Sequence, residues 1–248
     1  MILMIKFFVF SIVISILTVA PVQAADQLPP LKLRGIKGKD DRYLVERVVP
    51  PWSAIGRVNR RTGGFCTGSL IAPRKVLTAA HCLWNSRTRN WLPPVSLHFV
   101  SGYKKGDFIA HARITKFRVS PKYRPGRPVR ENLPFDWAVL TLNKNLVNLV
   151  GVISLSKLGR DNWISQAGYS KDKPHILTLN KRCSIVRRSQ KQKIIFHDCD
   201  VTKGDSGAPI LQFNNNKFEL IGIHVATTGM GDTPLGVALL NSSNVDWK

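Results

Sequence analysis

The stretch "VTKGDSGAPI", residues 201–210, sets Gly204-Asp205-Ser206-Gly207 just ahead of an apolar run. Ser206 is either a turn residue or a nucleophile, and the two readings make different demands on the rest of the chain. A serine hydroxyl is scarcely ionised at neutral pH, so a nucleophilic serine needs a base, and the base needs a third group to fix its tautomer. Candidates for both lie upstream. In "SLIAPRKVLTAAHCLW", residues 69–84, an apolar hairpin pattern turns at Pro73-Arg74-Lys75 and delivers His81 to the end of its second strand, beside Cys82. The other histidines, His98, His111, His175, His197 and His224, lack that setting. In "NLPFDWAVLTL", residues 132–142, Asp136 leads directly into an apolar strand, where a carboxylate needs a polar partner such as an imidazole N–H. Taken singly, a histidine at a strand end and an aspartate in a turn are also ordinary structural residues.

Working outward, the chain reads as all-β. It has 248 residues, 44% of them hydrophobic and 21% charged, enough for one large domain or two small ones. Short apolar or alternating segments at 52–58, 69–78, 95–100, 108–119, 137–142, 176–179, 194–196, 208–213, 218–225 and 235–240 are bounded by Gly, Pro, Asn or charge, which predicts strands. No segment keeps a helical period over two turns, except that the last few residues leave one open. The spacing suggests two β-barrels or sandwiches joined near 143–152, with the chemistry on loops between them.

The first 24 residues are a separate object. Lys6 precedes an apolar stretch from Phe7 to about Ala20, and Val22-Gln23-Ala24 carries small residues where a signal peptidase reads, so cleavage is expected after Ala24. The competing reading is an uncleaved membrane anchor; no later stretch is long and apolar enough to span a bilayer. The four cysteines fit an exported chain and allow three connectivities. Pairing them in order, Cys66 with Cys82 and Cys183 with Cys199, closes equal loops in the two halves, each of roughly 15 residues and contributing about 3 kcal/mol. Zinc is the alternative, since His81 and His197 lie near cysteines, but the Cys-x-x-Cys ligand spacing is missing.

Taken together and in this order, "LTAAHC", "DWAVL" and "GDSGAP" resemble the three catalytic segments of the chymotrypsin-fold serine peptidase family. "KGKDDRYLVERVVPPWSAIGRV" and "CTGSLIAPRKVLTAAHC" are similar to the start of mature enzymes in its secreted bacterial branch, which includes the glutamyl endopeptidases. The resemblance covers roughly residues 36–240. It implies two antiparallel six-stranded β-barrels with the active site in the cleft between them, residues 35–145 holding His81 and Asp136 and residues 146–248 holding Ser206. It further implies that His81, Asp136 and Ser206 are the catalytic residues, that the N–H groups of Gly204 and Ser206 form an oxyanion hole, and that no cofactor or metal is used.

Specificity is divided. Asp200 matches the position at the base of the primary pocket where members cutting after Lys or Arg carry their acid. In "LIGIHVATTG", residues 220–229, His224 instead matches the histidine with which glutamyl endopeptidases bind acidic side chains. Acidic, basic and small apolar preferences all stay open, with Val225, Ala226 and Thr227 expected to pair with an extended substrate. Asp205 raises a zymogen possibility, because in chymotrypsin relatives this acid pairs with an amine released by proteolysis. Cleavage after Arg34 in "ADQLPPLKLRGIKG" would remove a propeptide, residues 25–34.

The remaining feature is charge. With 37 Lys plus Arg against 15 Asp plus Glu, the formal net charge is +22, which draws the chain toward lipopolysaccharide, acidic lipid or acidic protein. The densest run is "KRCSIVRRSQKQK", residues 181–193, also readable as a solvated hairpin. No aromatic pattern or nucleic-acid motif accompanies it, so a specific nucleic-acid ligand is not expected. The expected function is therefore an exported serine endopeptidase acting on proteins or peptides, in the periplasm or outside the cell, and its alternative is a catalytically silent cationic binding protein on the same scaffold.

Overall fold

Pro73 and Arg74 turn the chain between two strands whose facing residues, Leu70 and Val76, are both fully buried, as the hairpin pattern predicts. The computed structural model describes Leu33, residues 35–189, 193–228 and 234–242, and Trp247. The expected leader at 1–24, the segment 25–34 apart from Leu33, and most of the final residues lie outside the described residues. In chain order the first half contains β1 (Tyr43–Leu44), β2 (Ile55–Arg60), β3 (Phe65–Ala72), β4 (Lys75–Thr78), β5 (Trp84–Asn85), β6 (Asn90–Trp91), β7 (Leu97–Ser101), β8 (Ala110–Val119), the one-turn helix α1 (Val129–Asn132) and β9 (Ala138–Leu142). After the one-turn helix α2 (Val147–Val150) come β10 (Trp163–Gly168), β11 (Thr178–Ser189), β12 (Ile194–His197), β13 (Pro209–Asn214), β14 (Lys217–Thr227) and β15 (Gly236–Leu240).

Two closed antiparallel barrels result. The first is a six-stranded ring in the order β2-β3-β4-β9-β8-β7. The second runs β11-β10-β13-β14-β15-β12 and closes through pairing of β12 with β11, again six strands. Strand β8 shows why the sequence chooses this: its two-residue period buries Ala110, Ala112 and Ile114 and turns Arg113 and Thr115 outward. The short strand β1 joins the outer edge of β11, with Tyr43 opposite Leu179, so the segment before β2 hydrogen-bonds to the second barrel. One apolar core fills the first barrel and continues through Ala167, Tyr169, Leu211 and Ile223 of the second.

Besides the two-residue strands β1, β5 and β6, which the sequence did not predict, two features depart from the sequence expectation. Strand β10 was not expected, because it carries Ser165 and Gln166 where an apolar residue would have signalled burial. Both are inside and bonded, Ser165 Oγ to Lys181 O at 2.6 Å and Gln166 Oε1 to Asn180 Nδ2 at 2.7 Å. Strand β11, expected only at 176–179, extends through the basic run to Ser189, with Cys183 and Ile185 facing inward and the charges outward.

Candidate active site

His81 sits in a single 3-10 turn, Ala80–Leu83, immediately beyond β4. The Cys66–Cys82 disulfide ties that turn to β3, and Cys183–Cys199 ties β11 to the segment after β12. All four sulfurs are thus bonded in pairs, leaving neither neighbouring histidine a thiolate with which to share a metal. Asp136 follows another 3-10 turn and is 5% exposed. Its Oδ1 accepts the backbone N–H of His81 at 2.9 Å and its Oδ2 accepts Nδ1–H at 2.6 Å. This two-point grip fixes both the ring and its tautomer, leaving Nε2 as the acceptor. Partial burial disfavours the imidazolium, but the Asp136 carboxylate outweighs it, so the His81 pKa lies above its ordinary value.

Ser206 occupies a tight turn stitched to both barrels. Its carbonyl accepts from Thr67 N of β3 at 2.9 Å, while Gly207 N donates to His224 O of β14 at 2.7 Å. Thr67 Oγ1 also donates to Gly204 O at 3.0 Å. Ser206 thereby shares β3 with Cys66, whose disulfide partner adjoins His81. Among the described residues no hydrogen bond joins Ser206 Oγ to His81; such bonds are often long without substrate. Gly204 and Gly207 have φ of +100° and +81°, and a Cβ would overlap Tyr169 O at the first and Thr67 O at the second. Both positions therefore exclude other residues.

Asp205 is fully buried beneath this turn, accepting from Thr202 N and Ser170 Oγ, each at 2.7 Å, and from Gln166 Nε2 at 3.4 Å. Burial raises its pKa to about 6 against those hydrogen bonds. Thr202 is held in turn by Asp172, whose carboxylate pairs with Arg42 Nη2 at 2.5 Å. The Arg42 side chain is completely buried and also bonds Asp40, so the segment before β2 braces the Ser206 turn. Arg42, Asp172 and Thr202 carry no sequence signal beyond ordinary charge and polarity.

The pocket residues fall into two groups. Asp200, 3% exposed, accepts Lys37 N at 2.7 Å, and Lys37 Nζ lies 3.9 Å from the same oxygen. The segment carrying Lys37 runs beside the one carrying Asp200, Val201 N donating to Gly35 O at 3.0 Å. It reaches Asp200 rather than Asp205. His224 is buried, and its Nδ1 lies 3.4 Å from Nε2 of His197, a residue the sequence marked only by its nearness to Cys199. Burial, with the charges of His81 and Lys37, lowers the His224 pKa to about 3, so its ring is neutral. Ala226 and Thr227 pair with Val237 and Gly236 of β15 and Val225 lies in the register shift before them, whereas β13 stops opposite Ile223, leaving their other edge beyond its reach.

Residues 44–248 match the trypsin family model. The chain belongs to the trypsin family. Within it, similarity extends to the glutamyl endopeptidase of Bacillus licheniformis, 23% identical over 194 residues, covering 76% of this chain and 58% of that one. Serine protease 23 of Bos taurus is 25% identical over 202 residues, covering 71% and 51% respectively. This trypsin-family chain thus spans roughly half the length of those relatives. A solved Glu endopeptidase in complex with MPD superposes with TM-score 0.71 at 25% identity, covering 85% of this chain and 96% of that one. The protease Anisep of Arthrobacter nicotinovorans, 18% identical with TM-score 0.60 and covering 77% and 90%, shares the fold.

Proposed function

We propose that this trypsin-family chain is an exported serine endopeptidase in which Ser206, His81 and Asp136 carry the reaction. The observation that carries the reading is the double hydrogen bond between Asp136 and His81, which orients the ring as a base requires. Ser206 Oγ attacks the scissile carbonyl while His81 Nε2 takes its proton; His81 then gives that proton to the leaving amine as the C–N bond breaks. Water, deprotonated by the same nitrogen, hydrolyses the acyl-enzyme and restores Ser206. Asp136 stabilises the transient imidazolium, and the N–H groups of Gly204 and Ser206 receive the developing oxyanion. The open edge at Val225, Ala226 and Thr227 supports strand-like pairing with substrate.

The primary pocket is read as acidic in preference. Lys37 holds Asp200 Oδ1 while Oδ2 stays buried without a partner among the described residues, and its ammonium, 3.9 Å from Oδ1, opposes the approach of a basic side chain to that carboxylate. With neutral His224 accepting at Nδ1 from His197 Nε2–H, its own Nε2–H is left to donate to a substrate carboxylate. Export rests on the leader pattern at 1–24 and on two disulfides, which persist in oxidising compartments. Among the described residues no helix is long and apolar enough to cross a membrane. The testing experiment is digestion of a diverse peptide mixture by the protein beside Ser206→Ala, read by mass spectrometry. Cuts by the intact protein alone, after Glu or Asp, are expected; no cuts, or cuts by both proteins, contradict the reading.

A further inference from the structure

We propose that the outer face of β11 and β12 is a binding surface for a polyanionic glycan, a polysaccharide bearing sulfate or phosphate esters. The basic run 181–193 is not a loosely solvated hairpin. Its cations are seated on aromatic rings supplied by other segments: Arg182 Cζ lies 4.0 Å from the Trp163 ring, Arg187 Cζ 3.9 Å from Phe196, and Lys181 Nζ 3.8 Å from Tyr43. Arg188 is held by Asn162 Oδ1 at 2.5 Å and by Asp161 O at 3.3 Å. Among the described residues none of these four cations, nor Lys193, forms an ion pair. Of the neighbouring acids, Asp198 accepts Ser184 N and Asp161 accepts Trp163 N.

A guanidinium lying over a ring is preorganised, yet keeps its edge N–H groups for bidentate contact with a sulfate or phosphate. Arg182 and Arg187, flanking the inward-facing Cys183 and Ile185, stand roughly 16 Å apart along the strand, room for more than one anionic group. A concavity of about 300 Å³ beside Arg188 and Lys193 continues the strip. Single-stranded nucleic acid is the poorer fit, because base stacking needs open aromatic faces and the faces of Tyr43, Trp163 and Phe196 already carry cations. Among the described residues no hydrogen bond or ion pair joins the strip to His81, Asp136 or Ser206, so binding there and peptide turnover are separable.

The test is fluorescence anisotropy with a labelled heparin dodecasaccharide and a phosphomannan fragment of matched charge, across a salt series. The probes distinguish sulfate from phosphate as the preferred ester. R182Q/R187Q/R188Q should bind at least about tenfold more weakly near physiological salt, with the slope of log affinity against log salt shallower by about 2–3. R61Q/R89Q/K116Q, which removes as much charge from the first barrel, should stay within about twofold of the unsubstituted chain. Both variants should cleave a reference peptide normally, which verifies folding. Equal losses in the two variants would assign binding to net charge and overturn the site. Tighter binding of a single-stranded oligonucleotide than of either glycan would overturn the choice of partner.

Discussion

Lys37 holds Asp200 twice over, through its backbone N–H at 2.7 Å from Oδ1 and through an ammonium 3.9 Å from the same oxygen. One oxygen of the acid that would recruit basic side chains is thus held within the protein, the other being buried without a hydrogen-bond partner among the described residues, and the positive charge of Lys37 acts on the neutral His224. Peptides with Glu or Asp before the scissile bond should therefore be cleaved with kcat/KM at least about tenfold above Lys or Arg counterparts, the scale of one well-placed charge contact. Lys37→Ala should narrow that ratio by a similar factor. Matched peptide series would measure both, and a variant with an unchanged ratio would remove Lys37 from the pocket's determinants.

Asp205 predicts a pH signature in stability. Its pKa rises from an ordinary 3.8 to about 6 because of burial, so the folded state binds its proton more tightly than the unfolded state does. Stability from this group is complete below about pH 4 and is lost as pH rises through about 6, roughly 3 kcal/mol in all. The difference in unfolding free energy between Asp205→Asn and the unsubstituted chain should carry this slope, measured by urea denaturation at several pH values. The variant should also keep activity within about tenfold, since among the described residues Asp205 is satisfied by Ser170, Thr202 and Gln166 and no amine pairs with it. Complete inactivity would restore a salt bridge to a released amine as the activating step.

Arg42 predicts the opposite pH slope. Its buried guanidinium holds the carboxyls of Asp40 and Asp172 below their usual range, for Asp40 first of all by direct hydrogen bonding and for Asp172 against the opposing effect of burial. Stability from these groups is present above their unfolded pKa, near 4, and is lost as pH falls through the depressed folded values. Arg42→Met should cost about 2–3 kcal/mol near neutral pH, less than the loss of a sole partner because Lys173 still pairs with both Asp40 and Asp172, with a smaller acid-induced loss remaining. Thermal and urea unfolding across pH 2–7 would test both statements.

How much of this was legible in the residues differs from site to site. His81, Asp136 and Ser206 stood out because each lies at a strand end in a short, distinctive setting, and the turn residues Gly204 and Gly207 follow from backbone geometry. Strand β10 was hidden because Gln166 is buried by hydrogen bonding rather than by apolarity. Lys37 and Arg42 were hidden for a different reason: their partners lie 163 and 130 residues away in sequence, and nothing local distinguishes them from surface charge. The aromatic rings beneath Lys181, Arg182 and Arg187 come from other strands, which is why the basic run alone read as solvated.

The raised pKa of His81 sets the acid limb of catalysis. Activity needs neutral imidazole, so kcat/KM should fall as pH drops through a value above the ordinary 6.5. Asp136→Asn removes the opposing charge, and should move that limb to lower pH while reducing kcat by a factor on the order of 10⁴. A limb that does not move on this substitution would place the titration elsewhere.

The central claim is that His81 activates Ser206, and covalent labelling tests it most directly. A peptidyl phosphonate diester whose phosphorus is captured by an activated serine should add one adduct, located on Ser206 by peptide mass spectrometry, and His81→Ala should abolish it in protein that remains folded by circular dichroism. Labelling that persists undiminished without His81, or that falls on another serine, would contradict the account.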